Sequence, residues 1–224
     1  MRCKNHWSIQ DDDCYNFDET GYQIGVTSGG LVIVPVGADK VYIDNPDNKE
    51  LVMSTEYIRA SGYHVPPMLI FKGAYHLRKH FENNIDGDTL FACSKTGFTN
   101  DKLTLAWLKH FDKFTKNQTK GRYRMLIFDS YGSHITQEFI EYCWENRIRP
   151  FLLPAHSTHL TQPLDVGVFQ CFKYNFKEAI RVEVFLGTTE ISKTDFFSFF
   201  QQFSNKTFTE KLSKSAKKSQ VNTF

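Results

Sequence analysis

The stretch of residues 123–153 constrains the fold more than any other part of the sequence. It begins with a compact apolar segment, YRMLIF, which has the length and composition of a buried β-strand and stops at Asp129. The next segment, His134–Asn146, repeats its apolar residues at helical spacing, and Ser133 stands in position to cap it. A second apolar segment, Ile148–Leu153, follows at once. A strand, a helix and a strand in such close succession predict a right-handed crossover between two parallel strands, and therefore an α/β fold.

Other segments extend this unit in both directions. We expect a helix over residues 99–116 with Thr99 or Asn100 as its N-cap, and a late helix over Asp165–Val184 that follows Pro163. A turn is expected at Thr20-Gly21 and a loop at Gly37–Lys49. Further strands are expected at residues 15–17, 31–36, 51–60 and 68–71. Because 224 residues with 41% hydrophobic content suffice for one core and no internal repeat is visible, a single domain is the economical interpretation.

The composition excludes several classes of protein. The sequence contains no run of about 18 apolar residues, so it predicts no membrane-spanning helix. Its first residues lack the apolar segment of a secretory signal. Five widely spaced cysteines without a CxxC pair indicate reduced thiols in a cytosolic or nuclear protein. The net charge of +2 does not by itself indicate nucleic acid. A basic tail at residues 201–224 could contact phosphates, although such tails are more often simply solvated.

Three aspartates stand at the ends of the expected elements. Asp18 is expected to close the first strand, Asp129 closes the central strand, and Asp165 opens the late helix. In an open α/β sheet, residues at the carboxyl ends of strands face the crevice where ligands bind. Carboxylates that converge there repel one another unless cations lie between them, and Mg²⁺ is the natural cation for such ligands. Each aspartate taken alone is more readily explained as a turn or helix-capping residue.

The segments that hold these aspartates resemble a known family. The stretches YNFDETGYQIG, YRMLIFDSYGSHITQEFIEYC and LLPAHSTHLTQPLDVGVFQCFK are similar to the catalytic domains of pogo/Tigger-type transposases. These are DDE superfamily endonucleases whose relatives include jerky-like and centromere-binding-protein-B-like proteins. The resemblance covers residues 11–200. It implies a ribonuclease-H-like α/β fold, with a mixed sheet of about five strands flanked by helices.

The resemblance also implies a site and a chemistry. Asp18 in FDETG, Asp129 in IFDSYGSH and Asp165 in QPLDVG match the three catalytic, metal-binding acids of the family. Members cut and join DNA with two Mg²⁺ or Mn²⁺ ions, using water for cleavage or a 3′-hydroxyl for strand transfer. DNA is then the expected partner, the nucleus the expected location, no membrane is involved, and a homodimer is compatible with the sequence.

Four nearby residues have less certain roles. Glu19 is expected to face the opposite side of its strand from Asp18 and is left out of the acidic triad. His134 could meet a phosphate or orient a carboxylate, or it could simply pack at the start of a helix. His156 and His159 form a weak zinc signal. We expect them to hold the loop before Asp165 in place, with DNA contact as an alternative.

The sequence also departs from the family pattern. Members usually carry helix-turn-helix domains before the catalytic domain, whereas this sequence starts shortly before Asp18, and residues 27–48 match poorly. We therefore expect a truncated catalytic domain, with a lead at 1–10, the domain at 11–200 and the tail at 201–224. Two alternatives remain at this stage: a non-catalytic nucleic-acid-binding protein that keeps the fold, and a ribonuclease-H-like nuclease of another purpose.

Overall fold

A mixed β-sheet forms the centre of the computed structural model. The structure describes residues 2–26, 49–59, 61–75, 87–129, 135–153, 164–188 and 190–208. Within these residues the sheet has seven strands, two more than expected. They are β1 (Cys14–Val26), β2 (Lys49–Arg59), β3 (Met68–Lys72), β4 (Leu90–Ser94), β5 (Arg124–Asp129), β6 (Ile148–Leu153) and β7 (Glu190–Ile191).

The strand order is β4-β3-β2-β1-β5-β6, with β7 paired to the end of β1. Strand β2 is antiparallel to both of its neighbours, β1 and β3, whereas β4 is parallel to β3. Strands β5 and β6 are both parallel to β1. The carboxyl ends of β1, β5 and β6 therefore point to the same edge of the sheet. This is the edge at which α/β proteins bind ligands.

The crossover that the sequence predicts is confirmed. Strands β5 and β6 are adjacent and parallel, and helix α3 (Gln137–Glu145) connects them. The helix begins three residues later than expected, so the prediction that Ser133 caps it is wrong. The cap is Thr136, whose side chain accepts a hydrogen bond from the N–H of Phe139 and satisfies a free donor of the first turn.

Helices cover both faces of the sheet. On one face, α2 (Asp101–Thr115) and α3 pack Trp107, Phe111 and Phe139 onto the strands, and α2 is capped by Asn100, one of the two expected caps. On the other face lie α4 (Phe169–Phe185) and α5 (Lys193–Thr207). A short N-terminal helix, α1 (Arg2–Trp7), precedes β1. The four cysteines whose side chains the structure describes, Cys14, Cys93, Cys143 and Cys171, are free thiols.

The turn expected at Thr20-Gly21 is wrong, because β1 continues straight through it. Strand β1 pairs with β2 along the ladder from Tyr15–Arg59 to Gly25–Lys49, and these hydrogen bonds outweigh the local turn preference. Gly21 instead leaves room for the side chain of Leu51, since a Cβ at position 21 would lie 3.1 Å from Leu51 Cδ1. Strand β2, expected at residues 51–60, is mostly buried. The strand expected at residues 31–36 and nearly all of the loop expected at 37–49 lie outside the described residues.

Candidate active site

Asp18 and Asp129 lie on adjacent strands and on the same face of the sheet. The parallel pairing of β1 with β5 aligns Asn16 with Ile127, and each aspartate stands two residues further along its strand. Since side chains alternate between faces with a period of two, the aspartates follow the orientation of that aligned pair. Asp18 lies in the middle of β1 rather than at its end, but it is level with the end of β5, where Asp129 is the last residue.

Asp165 reaches the same place from a different element. It lies in a single π-helical turn, Leu164–Val168, which runs directly into α4. Its charge interacts with those of Asp18 and Asp129. The tertiary structure thus brings together three carboxyl groups that are distant in sequence.

The electrostatics of the cluster are those of crowded carboxylates. Burial raises the pKa of Asp18 to about 8, and the charges of Asp165, Glu19 and Asp129 add to the rise. The N–H of Glu19 donates a hydrogen bond to Asp18 Oδ1 at 2.8 Å and opposes this shift. Burial also raises the pKa of Asp165, and while Lys173 lowers that pKa, Asp129 raises it. With its pKa raised to about 8, Asp18 keeps its proton at neutral pH, which relieves the repulsion among the three carboxyl groups.

The three aspartate side chains are of the chemical type that binds divalent cations. All three are carboxylates, the ligands that Mg²⁺ and Mn²⁺ prefer, and a cation would relieve the same repulsion that the proton on Asp18 relieves. Across the described residues, no three His, Cys, Asp or Glu side chains are grouped as a ready-made metal-binding set.

Glu19 points away from the cluster, as predicted. Its side chain accepts a hydrogen bond from the hydroxyl of Thr99, just before α2, on the opposite face of the sheet from Asp18. His134, His156 and His159 lie outside the described residues, so their suggested contacts with DNA or with the acidic residues stay predictions.

The sequence interpretation missed a buried acid beside Asp18. Glu56 on β2 is paired directly with Asp18 on β1, is fully buried, and accepts a hydrogen bond from Ser54. Burial raises the pKa of Glu56 to about 8. Its Oε2, together with Thr20 Oγ1 and Tyr22 Oη on the same face, has no hydrogen-bond partner among the described residues. Only the register of β1 on β2 reveals this neighbour, because nothing in the local sequence of β2 distinguishes it.

Comparison with known sequences identifies a family. A profile described as DDE superfamily endonuclease matches residues 48–221, a segment that includes Asp129 and Asp165. A protein of Cochliobolus lunatus named MFS-type transporter clz9 is 34% identical over 212 residues, which are 93% of this chain and 23% of that protein. The chain thus spans about a quarter of the length of this relative. None of the helices in the described residues is long and apolar enough to cross a membrane.

Comparison with solved structures confirms the fold. The crystal structure of the Mos1 mariner paired end complex with Mn is similar over 95% of this chain and 54% of that chain. The TM-score is 0.55 and the sequence identity 12%. The mixed sheet flanked by helices is therefore a ribonuclease-H-like fold, as the sequence predicted.

Proposed function

The chain belongs to the DDE superfamily endonucleases, and on that premise we propose that it is a transposase-derived catalytic domain of pogo/Tigger type that cleaves DNA. The observation that carries this proposal is the convergence of Asp18, Asp129 and Asp165 from three separate elements on one edge of the sheet. The proposed substrate is the phosphodiester backbone of DNA, the proposed location is the nucleus, and a second copy of the chain is a proposed partner.

In this proposal, the three aspartates would hold two Mg²⁺ or Mn²⁺ ions. Bound between carboxylates, such ions supply an activated water and offset the charge that develops on the leaving oxygen. The chain's own contribution is to fix three anionic side chains on rigid elements. Asp18 and Asp129 are held by the sheet, and Asp165 is held by the turn that begins α4. Because the acids lie on strands and a helical turn rather than on loops, the distances between their carboxylate oxygens are kept constant.

The pKa of Asp18 has a consequence for loading the metal. Because that pKa is raised to about 8, a proton competes with the cation at neutral pH. Cation binding should therefore release a proton and tighten as the pH rises. This behaviour separates a working metal site from a cluster of acids that only shares protons.

The decisive experiment is a nicking assay on supercoiled DNA with Mg²⁺ or Mn²⁺. Asp129→Asn keeps the shape of the side chain but removes its charge, so nicking should fall by more than about 100-fold, since even outer partners of metal ligands typically contribute 10–100-fold. The matched control is Asp88→Asn, which neutralises an exposed aspartate that forms a long ion pair with Lys113 at 3.5 Å. The control should nick like wild type.

Two outcomes of this assay would contradict the proposal. If wild type binds DNA with an affinity that falls with salt, as phosphate contacts dictate, yet never nicks in either cation, the chain is a nucleic-acid-binding protein and not a nuclease. Equal nicking by wild type and Asp129→Asn would instead remove Asp129 from the site.

A further inference from the structure

Asn16 is a polar residue in a position that favours an apolar one. It lies in β1 between β2 and β5, is fully buried, and stands two residues before Asp18 on the same face of the sheet. Asparagine is depleted in strands, where β-branched and aromatic residues pack better. Its neighbours across the ladder, Ile58 on β2 and Ile127 on β5, are both apolar and buried.

Both ends of the Asn16 amide are used, and they reach different elements. The Nδ2 donates a hydrogen bond to the carbonyl oxygen of Ile127 on β5 at 3.2 Å. The Oδ1 accepts a hydrogen bond from the backbone N–H of Leu164 at 3.0 Å. Ile127 and Leu164 are themselves buried, so water cannot replace either bond.

These two bonds link the three elements that carry the acidic residues. Asn16 stands in the strand of Asp18, Ile127 lies two residues before Asp129, and Leu164 immediately precedes Asp165. The bond to Leu164 matters most, because the turn of Asp165 is the one element of the three that no strand pairing holds in place.

We propose that Asn16 is a positioning residue for the acidic site, whose amide fixes the turn of Asp165 against the strands of Asp18 and Asp129. This inference rests on the proposed nuclease function. Asn16 does not need to touch DNA or metal to act. It sets the separation of carboxylates that two divalent ions must bridge, so its loss should weaken cation binding more than it weakens the fold.

The test compares Asn16→Ala with Asn175→Ala. Asn175 is also a buried asparagine, and its Nδ2 donates to Thr207 Oγ1 at 2.9 Å, which joins α4 to α5 away from the acidic residues. Three quantities are measured in each variant. The first is the exchange rate of the Leu164 amide hydrogen. The others are the Mn²⁺ concentrations that give half-maximal binding by calorimetry and half-maximal nicking. Where Asn16→Ala yields no folded protein, Asn16→Ser and Asn175→Ser replace the pair.

The expected result is selective. Asn16→Ala should speed exchange at Leu164 by at least about 10-fold relative to Asn175→Ala, and should raise the half-saturating Mn²⁺ concentration by about 10–100-fold. Asn175→Ala should lose stability without either change. Equal Mn²⁺ dependence and equal exchange at Leu164 in the two variants would overturn the proposal. If wild type does not nick but the Leu164 amide still loosens selectively in Asn16→Ala, the positioning role stands and the nuclease function fails.

Discussion

At the scale of single residues, two acids on neighbouring strands have pKa values of about 8, partly buried Asp18 and fully buried Glu56. Below about pH 4, such groups are protonated in both the folded and the unfolded chain. Between about pH 4 and pH 8, the unfolded chain releases protons that the folded protein keeps, so the free energy of unfolding falls as the pH rises. Above about pH 8, the loss is complete and the curve levels off.

We therefore predict that Glu56→Gln is more stable than wild type at pH 8. The amide keeps the hydrogen bond from Ser54 but removes a charge that the interior does not solvate. Its melting temperature should exceed that of wild type by at least about 5 °C at pH 8, and the difference should close towards pH 4.5. Thermal unfolding in metal-free buffer across this range measures the effect, with exposed Glu138→Gln as the control. A difference that does not vary with pH would contradict the pKa assigned to Glu56.

Thermal unfolding in the presence of Mg²⁺ distinguishes the role of Glu56 from that of Asp18. We predict that Mg²⁺ stabilises wild type and Glu56→Gln alike, by about 2.7 kcal/mol at 100 times its dissociation constant. Asp18→Asn should also be stabilised at pH 8 without metal but should not respond to Mg²⁺, because it lacks a proposed ligand. A wild-type melting curve unchanged by millimolar Mg²⁺ and Mn²⁺ would count against the metal site.

At the scale of elements, a buried ion pair ties the end of α2 to the start of β5. Arg124 Nη2 lies 2.6 Å from Asp112 Oδ1, and both side chains are almost fully buried. The guanidinium also donates to Thr115 Oγ1 at 2.7 Å and to the carbonyl oxygen of Asn146 at 2.7 Å. Because these two further hydrogen bonds accompany the ion pair, the pair escapes part of the desolvation cost that makes buried ion pairs weak.

We predict that Asp112→Ala lowers the free energy of unfolding by about 3–5 kcal/mol, because it leaves the Arg124 charge buried without its partner. The adjacent residue supplies the control. Lys113 forms an exposed pair with Asp88 at 3.5 Å, and Asp88→Ala should cost less than about 1 kcal/mol. Denaturant unfolding of both variants gives the comparison, and similar losses in the two would mean that Arg124 finds other compensation.

At the scale of the whole molecule, a cluster of aromatic rings joins α4 and α5 to the sheet. Tyr22 of β1 lies 5.0 Å, ring centre to ring centre, from Phe176 of α4 and 5.7 Å from Phe196 of α5. Phe196 is fully buried and also contacts Phe200 and Phe203. This cluster holds α4, and with it the turn of Asp165, against the sheet face that carries Asp18.

We predict that Phe196→Ala destabilises the protein by about 3–5 kcal/mol, through lost burial and the cavity it leaves. Phe185 at the end of α4 is the matched control, since it is 86% exposed and its truncation should change stability by less than about 0.5 kcal/mol. Urea unfolding measures both variants. A loss below about 1 kcal/mol for Phe196→Ala would mean that the surrounding rings collapse into the vacated space.

Elements whose signals are local could be predicted from the sequence. The crossover of β5, α3 and β6, the cap of α2 at Asn100 and the position of β3 all follow from patterns within a few turns of chain. Helix α5 was missed because its apolar residues are nearly all phenylalanines, which fit a strand as well as a helix. The domain limits at residues 10 and 200 stay predictions.

The positions of the elements relative to one another could not be predicted in this way. The sequence offered Asp18, Asp129 and Asp165 as candidates, but their proximity depends on the register of β1 against β5 and on the docking of the turn before α4. Strand register is set by hydrogen bonds and packing between segments far apart in the chain, which no local pattern encodes. For the same reason, β1 runs through its expected turn, Glu56 faces Asp18, and Asn16 reaches both Ile127 and Leu164.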